Sequence, residues 1–158
     1  MSDRIEIVKT LDRVIELWPF FLEALGSLTE RAREKTTPVQ MMGILMRVAT
    51  GRPQKGVLMV LVSKNGKPFG FVAAKDNSNC TDQKSLMVLF AYINEKCPDK
   101  ICTLQEGLDA WARLNGYFEI QAISPKFYSH KFFEQRLGFR RAFVGYRKFL
   151  CTLSTLTT

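Results

Sequence analysis

A thiol beside an ammonium is the most suggestive pairing in the chain: Cys97 follows Lys96 and is followed by Pro98, Asp99, Lys100 and Ile101. A neighbouring positive charge and a helix N-terminus both favour the thiolate, the nucleophilic form of cysteine. No histidine stands near it to act as a base, so Cys97 reads as an inert, partly buried thiol before it reads as a nucleophile. Glu95 places a carboxylate directly before this cluster. Farther along, Tyr128, the single histidine His130 and Glu134 supply a phenol, an imidazole and a second carboxylate, all groups that can pass a proton. Cys80, Cys97, Cys102 and Cys151 have neither C-x-x-C spacing nor a histidine at ligand spacing. That argues against a metal site and for free thiols in a reducing compartment.

The 158 residues carry 23 Lys and Arg against 15 Asp and Glu, a formal charge of +8. Such a balance attracts nucleic acid, anionic membranes and phosphorylated small molecules alike, and its sign does not choose among them. The densest basic group, Lys126, Lys131, Arg136, Arg140, Arg141, Arg147 and Lys148, lies near the end and reads first as a solvated face. An apolar content of 46% suffices for one domain with a sizeable core, expected over 1–150, with a Thr-rich tail at 151–158. No apolar run approaches the roughly 20 residues that cross a bilayer, and the opening residues do not lead into a signal-peptide pattern. A soluble cytoplasmic protein with no membrane role is the expectation.

The scaffold for those groups is written in the apolar spacing. Ile5 and Ile7 alternate with polar neighbours as a short strand, and Thr10 stands where it would cap the next helix. Leu11, Val14, Ile15, Leu17, Trp18, Phe21, Leu22 and Leu25 recur at helical spacing, predicting one helix kinked at Pro19 and stopped by Gly26. After a polar connection over 27–35, Thr37-Pro38 reads as the N-cap and first-turn proline of a helix ending at Gly51. Its Met41, Met42, Leu45, Met46 and Val48 form a core-facing side. Asn65-Gly66 between β-rich runs at 57–63 and 69–74 predicts a hairpin closed by a type I′ turn. A third run, 86–93, follows a turn-rich loop over 75–85.

Ile101, Leu104, Leu108, Trp111, Ala112 and Leu114 then set a helix closed by Gly116. A strand over 117–123, a helix over 127–137 and a last strand over 139–149 complete the order. The result is an α/β (α+β) chain with a mixed, mostly antiparallel sheet and helices on both faces.

Trp111-Ala112-Arg113-Leu114-Asn115-Gly116-Tyr117 before a strand, then Phe132-Phe133-Glu134-Gln135-Arg136-Leu137-Gly138-Phe139, then Tyr146-Arg147-Lys148, succeed one another in the last third. That succession resembles the end of the GNAT superfamily of N-acyltransferases, and the order of elements extends the resemblance over nearly the whole chain. Glu16-Leu17-Trp18-Pro19 and Ala49-Thr50-Gly51 look most like divergent GNAT-like proteins encoded by bacteriophages. The resemblance implies transfer of an acetyl or other acyl group from acetyl-CoA, or another acyl-CoA, to an amine of a small molecule or protein.

In GNAT enzymes the loop after the fourth strand reads Arg or Gln, two residues, Gly, one residue, then Gly or Ala. Its backbone amides grip pyrophosphate at a helix N-terminus. By resemblance that loop is Lys96-Cys97-Pro98-Asp99-Lys100-Ile101, the implied carrier-binding segment, and it holds no glycine. Pro98 lacks an amide hydrogen and Asp99 would repel phosphate, whereas Lys96 and Lys100 return some attraction. The family's tyrosine acid falls at Glu134 here. Tyr128 or His130 is left as the implied acid for the departing thiolate, with Glu95, after the third long strand, as the implied base. If the carrier grip has been lost, the scaffold would instead serve as a noncatalytic module that binds a host protein or nucleic acid through its basic C-terminal third. A homodimer is compatible with either outcome.

Overall fold

The computed structural model describes residues 2–31, 36–78, 83–94, 96–122, 134, 135 and 137–139. Within them one sheet has the order β1-β2-β3-β4-β5: β1 Arg4–Ile7, β2 Gly56–Val62, β3 Pro68–Asp76, β4 Ser85–Ile93 and β5 Glu119–Gln121. Neighbours are antiparallel except β4 and β5, which run parallel. The helices α1 Leu11–Glu16, α2 Trp18–Arg31 and α3 Pro38–Thr50 precede β2, and α4 Ile101–Leu114 connects β4 to β5.

Residues 57–62 of β2 are all buried. Neither face of that strand meets water, which is why it is written as a continuous apolar run and not as an alternating one. Leu58, Val60 and Val62 pack with Phe71, Val14, Phe21, Met41 and Leu45 on the α1–α3 side. Val57, Met59 and Leu61 pack with Val72, Leu86, Leu104, Leu108 and Ala112 on the α4 side. Helices therefore cover both faces, as expected. Gly107 lets α4 approach closely, since a Cβ there would overlap Ile5 Cδ1 of β1. On the other face the core is aromatic: the Phe71 ring lies 5.0 Å from that of Phe21 and 6.0 Å from that of Phe20, both edge-on.

Thr37 caps α3 reciprocally with Gln40: its hydroxyl accepts from the Gln40 amide at 3.2 Å, and Gln40 Oε1 accepts from the Thr37 amide at 2.9 Å. Other expectations need correction. The single kinked helix is two, α1 and α2, because Pro19 offers no amide to the carbonyl one turn earlier. Gly26 does not stop α2, which continues to Arg31. A helix interior tolerates glycine at about 1 kcal/mol, and the neighbouring Ala24 and Leu25 are held in the core.

The hairpin forms, but its turn is not type I′. Gly66, with φ 79°, is left-handed and Asn65 is not. The Gly66 amide bonds the Ser63 carbonyl at 2.8 Å, and the Ser63 amide bonds the Lys67 carbonyl at 2.9 Å. That pattern is a three-residue loop, a type I turn followed by a left-handed glycine. Trp111, expected in the core, is half-buried and stacks on Tyr117 at 5.7 Å. The helix expected over 127–137 and the strand over 139–149 lie almost wholly outside the described residues, as does the tail at 151–158; Glu134 and Gln135 are helical. No helix among the described residues is long and apolar enough to cross a membrane.

Candidate active-site cleft

The parallel pairing of β4 with β5 covers Ser85↔Glu119, Leu86↔Ile120 and Met87↔Gln121. Beyond it β4 runs on to Ile93 with no further β5 partner among the described residues. A bulge follows in β4 against β3: Ala74 faces Val88 and Ala73 faces Phe90, leaving Leu89 as the extra residue. The joined base is held by side chains. Ser85 Oγ donates to Glu119, and Gln121 Nε2 donates to Glu119 Oε1 at 2.7 Å while Gln121 Oε1 accepts from Asn77 at 3.1 Å. The Ser85 bond, then the Gln121 bond, holds the Glu119 carboxyl below its ordinary range.

The segment 96–101 follows β4 directly and ends at the start of α4, where the resemblance set it. Lys96, Asp99 and Lys100 are exposed, and Cys97 and Ile101 are half-buried. The amides of Lys96, Cys97, Lys100 and Ile101 are already in use. The Lys96 amide donates to Asn94 Oδ1 and the Cys97 amide to the Asn94 carbonyl, both at 3.0 Å; the Lys100 amide donates to the Cys97 carbonyl at 3.1 Å. The Ile101 amide turns back to Pro98 and Asp99. Lys100 Nζ pairs with Asp3 at 3.0 Å. In this conformation the loop does not fit a diphosphate as an amide cradle, and its attraction for phosphate comes from Lys96 and, in part, Lys100. Asn94, not singled out from sequence, organises the whole turn; Asn two residues ahead of Lys96 is the Asx-turn signal that could have found it.

Glu95, Tyr128 and His130 lie outside the described residues, and Glu134 is exposed. Cys97 and Cys102 are free thiols. Among the described residues no group of His, Cys, Asp or Glu could hold a metal ion.

A cleft of about 490 Å³ opens on the α3 side of the sheet, and Leu89 of the bulge is part of its lining. Ile44 and Val48 of α3 add apolar wall, and Arg47, Arg52, Lys55 and Lys75 bring cations against a single carboxylate, Asp76. Asp76 holds this end of the sheet together. Its Oδ2 accepts from Lys55 Nζ at 3.2 Å and from the Tyr117 hydroxyl at 3.0 Å, and its Oδ1 from the Ser78 amide at 2.8 Å. Burial pushes the carboxyl up, but the bonds from Ser78, Lys55 and Tyr117 outweigh it and hold Asp76 at about 2.

The Tyr117 hydroxyl also reaches the Gln54 carbonyl; with one proton it serves one acceptor at a time. Burial, then Asp76, pushes the phenol upward, so Tyr117 remains a donor. Gln54 has φ 71°, a left-handed backbone in a residue other than glycine, which costs about 1–3 kcal/mol. The bond from Tyr117 falls on that same residue and ties the turn carrying Arg52 and Lys55 to the sheet. None of Asp76, Tyr117, Arg52 or Lys75 stood out from sequence as a site residue; Tyr117 entered only as the end of a motif, and Lys75 and Asp76 fell in the loop read over 75–85.

No protein-family model matches the chain, and no curated protein is similar in sequence. Solved structures do match. Glucosamine-6-phosphate N-acetyltransferase from Arabidopsis thaliana is 14% identical with a TM-score of 0.71, over 94% of this chain and 99% of that one. An acetyltransferase from Trypanosoma brucei is 20% identical with a TM-score of 0.68, over 94% and 100%. Ribosomal-protein-alanine N-acetyltransferase from Brucella melitensis biovar Abortus 2308 is 15% identical with a TM-score of 0.68, also over 94% and 100%. The likeness spans almost the full length of each chain, and the fold is that of the GNAT acetyltransferases.

Proposed function

We propose that this chain is an N-acyltransferase that moves an acyl group from a thioester donor such as acetyl-CoA to an amine. One observation carries the reading: the parallel pairing of β4 with β5 is followed in β4 by the Leu89 bulge, and the cleft opens at that same residue. In this reading the backbone of 88–93, beyond the described β4–β5 pairs, takes the amide-bearing arm of coenzyme A as it would an added strand. Two of the structural neighbours are named as N-acetyltransferases, one of glucosamine 6-phosphate and one of ribosomal-protein alanine, which supports an amine acceptor without choosing one. A cytoplasmic setting agrees with free thiols at Cys97 and Cys102.

In the reaction the amine nitrogen attacks the thioester carbonyl carbon, the C–S bond breaks, the C–N amide bond forms, and one proton passes from nitrogen to the departing sulfur. Glu95 is the proposed base and Tyr128 or His130 the proposed acid. With no strongly activated nucleophile in the scheme, alignment of donor and acceptor supplies much of the rate. The occupied amides of 96–101 favour a second reading, a GNAT-like module that has given up the donor and binds a host protein or nucleic acid.

Thiol release from millimolar acetyl-CoA, followed with polyamines, amino sugars and an alanine-terminated peptide as acceptors, separates the two. Release that depends on one class of amine, with the acetylated amine identified by mass, is expected. It should fall about three- to tenfold on combining Lys96→Glu with Lys100→Glu, since both charges are exposed. Thiol release no faster than hydrolysis with every amine would leave only the binding module.

A further inference from the structure

We propose that the cleft on the α3 side binds the anionic group, phosphate or carboxylate, of a small acceptor amine through Arg47, Arg52 and Lys75. The amine's role rests on the acyl-transfer reading; the anion site does not.

The charges do not balance within the protein. Asp76 is the one carboxylate in the lining, and it is committed to Lys55, Ser78 and Tyr117. Among the described residues Arg52 and Lys75 have no ion pair, and the Arg47 side chain bonds the Gly43 carbonyl at 3.1 Å. Arg47 has a structural reason to be where it is, in the last turn of α3 where a cation complements the helix end. No such reason covers Arg52 and Lys75. They come from separate segments, and Arg52 is presented by the turn that Tyr117 holds at Gln54. Gathering cations in a concavity costs repulsion, which a bound anion relieves.

Size and shape choose the ligand class. About 490 Å³ falls within the roughly 300–1,000 Å³ typical of small-molecule sites. Ile44, Val48 and Leu89 suit a short carbon skeleton between an anionic end and an amine. Leu89 belongs both to this lining and to the bulge that follows the described β4–β5 pairs. An acceptor anchored by its anion at Arg52 and Lys75 thus has Leu89 of the β4 bulge within the same cleft for its other end. A nucleic-acid strand would call for an extended basic track, whereas these cations converge on one concavity.

Calorimetry at fixed ionic strength with O-phosphoethanolamine, β-alanine, ethanolamine and a single-stranded oligonucleotide tests the site, and acetyl-CoA is titrated separately. At least one of the two anionic amines is expected to bind saturably, with ethanolamine about tenfold weaker or worse. The double variant Arg52→Glu/Lys75→Glu should lose about tenfold or more, as expected for two charge-assisted contacts. Its melting temperature should stay within about 2 °C of wild type, since both side chains are exposed. Lys75→Gln should give an intermediate loss. Absence of saturable binding by both anionic amines, equal affinity in the variants, or tighter binding of the oligonucleotide through these same residues would overturn the site. Anionic amines that bind while acetyl-CoA does not would uphold the site and refute the acyl-transfer reading.

Discussion

Phe71→Ala is expected to destabilise the protein by about 3–5 kcal/mol, the range for deleting a fully buried aromatic ring. Phe71 is wholly inaccessible and sits among Phe20, Phe21 and Tyr92, with ring centroids 5.0 to 6.3 Å away. Its removal leaves a cavity between the sheet and α2 that flat rings on both sides cannot easily collapse to fill. For a chain of this length the melting temperature should drop by roughly 10 °C, measured by calorimetry or circular dichroism. Leu114→Ala, at a side chain 86% exposed, is the control and should be near neutral. A Phe71→Ala loss below about 1 kcal/mol would mean that the aromatic cluster does not form as described.

Asp76→Asn should cost about 2 kcal/mol at pH 7, because the Asp76 carboxyl is held at about 2 against an ordinary value of 3.8. A folded-state value below the unfolded one means stability that is fully present above pH 4. That stability is lost as pH falls from about 4 to about 2. Urea midpoints of wild type and variant, measured from pH 6 down to pH 2, should therefore differ at the top of the range and converge at the bottom. Denaturation curves that stay parallel over the whole range would show that Asp76 is not the hub of this end of the sheet.

What could be read from the sequence was what neighbours in the chain decide. The β-rich run of β2 announced a strand, and Thr37-Pro38 announced the start of α3. The hairpin was legible but its turn was not, because Asn-Gly serves both a type I′ turn and the three-residue loop that formed. The extent of α2 was missed for a related reason: a glycine can end a helix or sit inside one, and core contacts decided for the second.

The site was legible only as a fold position. The segment 96–101 lies between β4 and α4, yet the state of its first two amides depends on Asn94, whose side chain and carbonyl occupy them. The cleft was not legible at all. Asp76 meets Tyr117 41 residues away, and Tyr117 meets Gln54 63 residues away, so no local spacing foretells them. The cations that line it are spread from Arg47 to Lys75, while the sequence drew attention to the denser basic group after Lys126, outside the described residues.

The most direct measurement is the binding of acetyl-CoA and of free CoA to the purified chain, by titration calorimetry carried to millimolar ligand. Saturable heat with a Kd of about 0.1–1 mM is the expected result, about −4 to −5.5 kcal/mol, for a donor held by strand pairing and exposed lysines without an amide cradle. Lys96→Glu combined with Lys100→Glu should weaken it further. No heat and no thermal shift with either ligand at millimolar concentration would contradict acyl transfer and leave a GNAT fold that serves by binding alone.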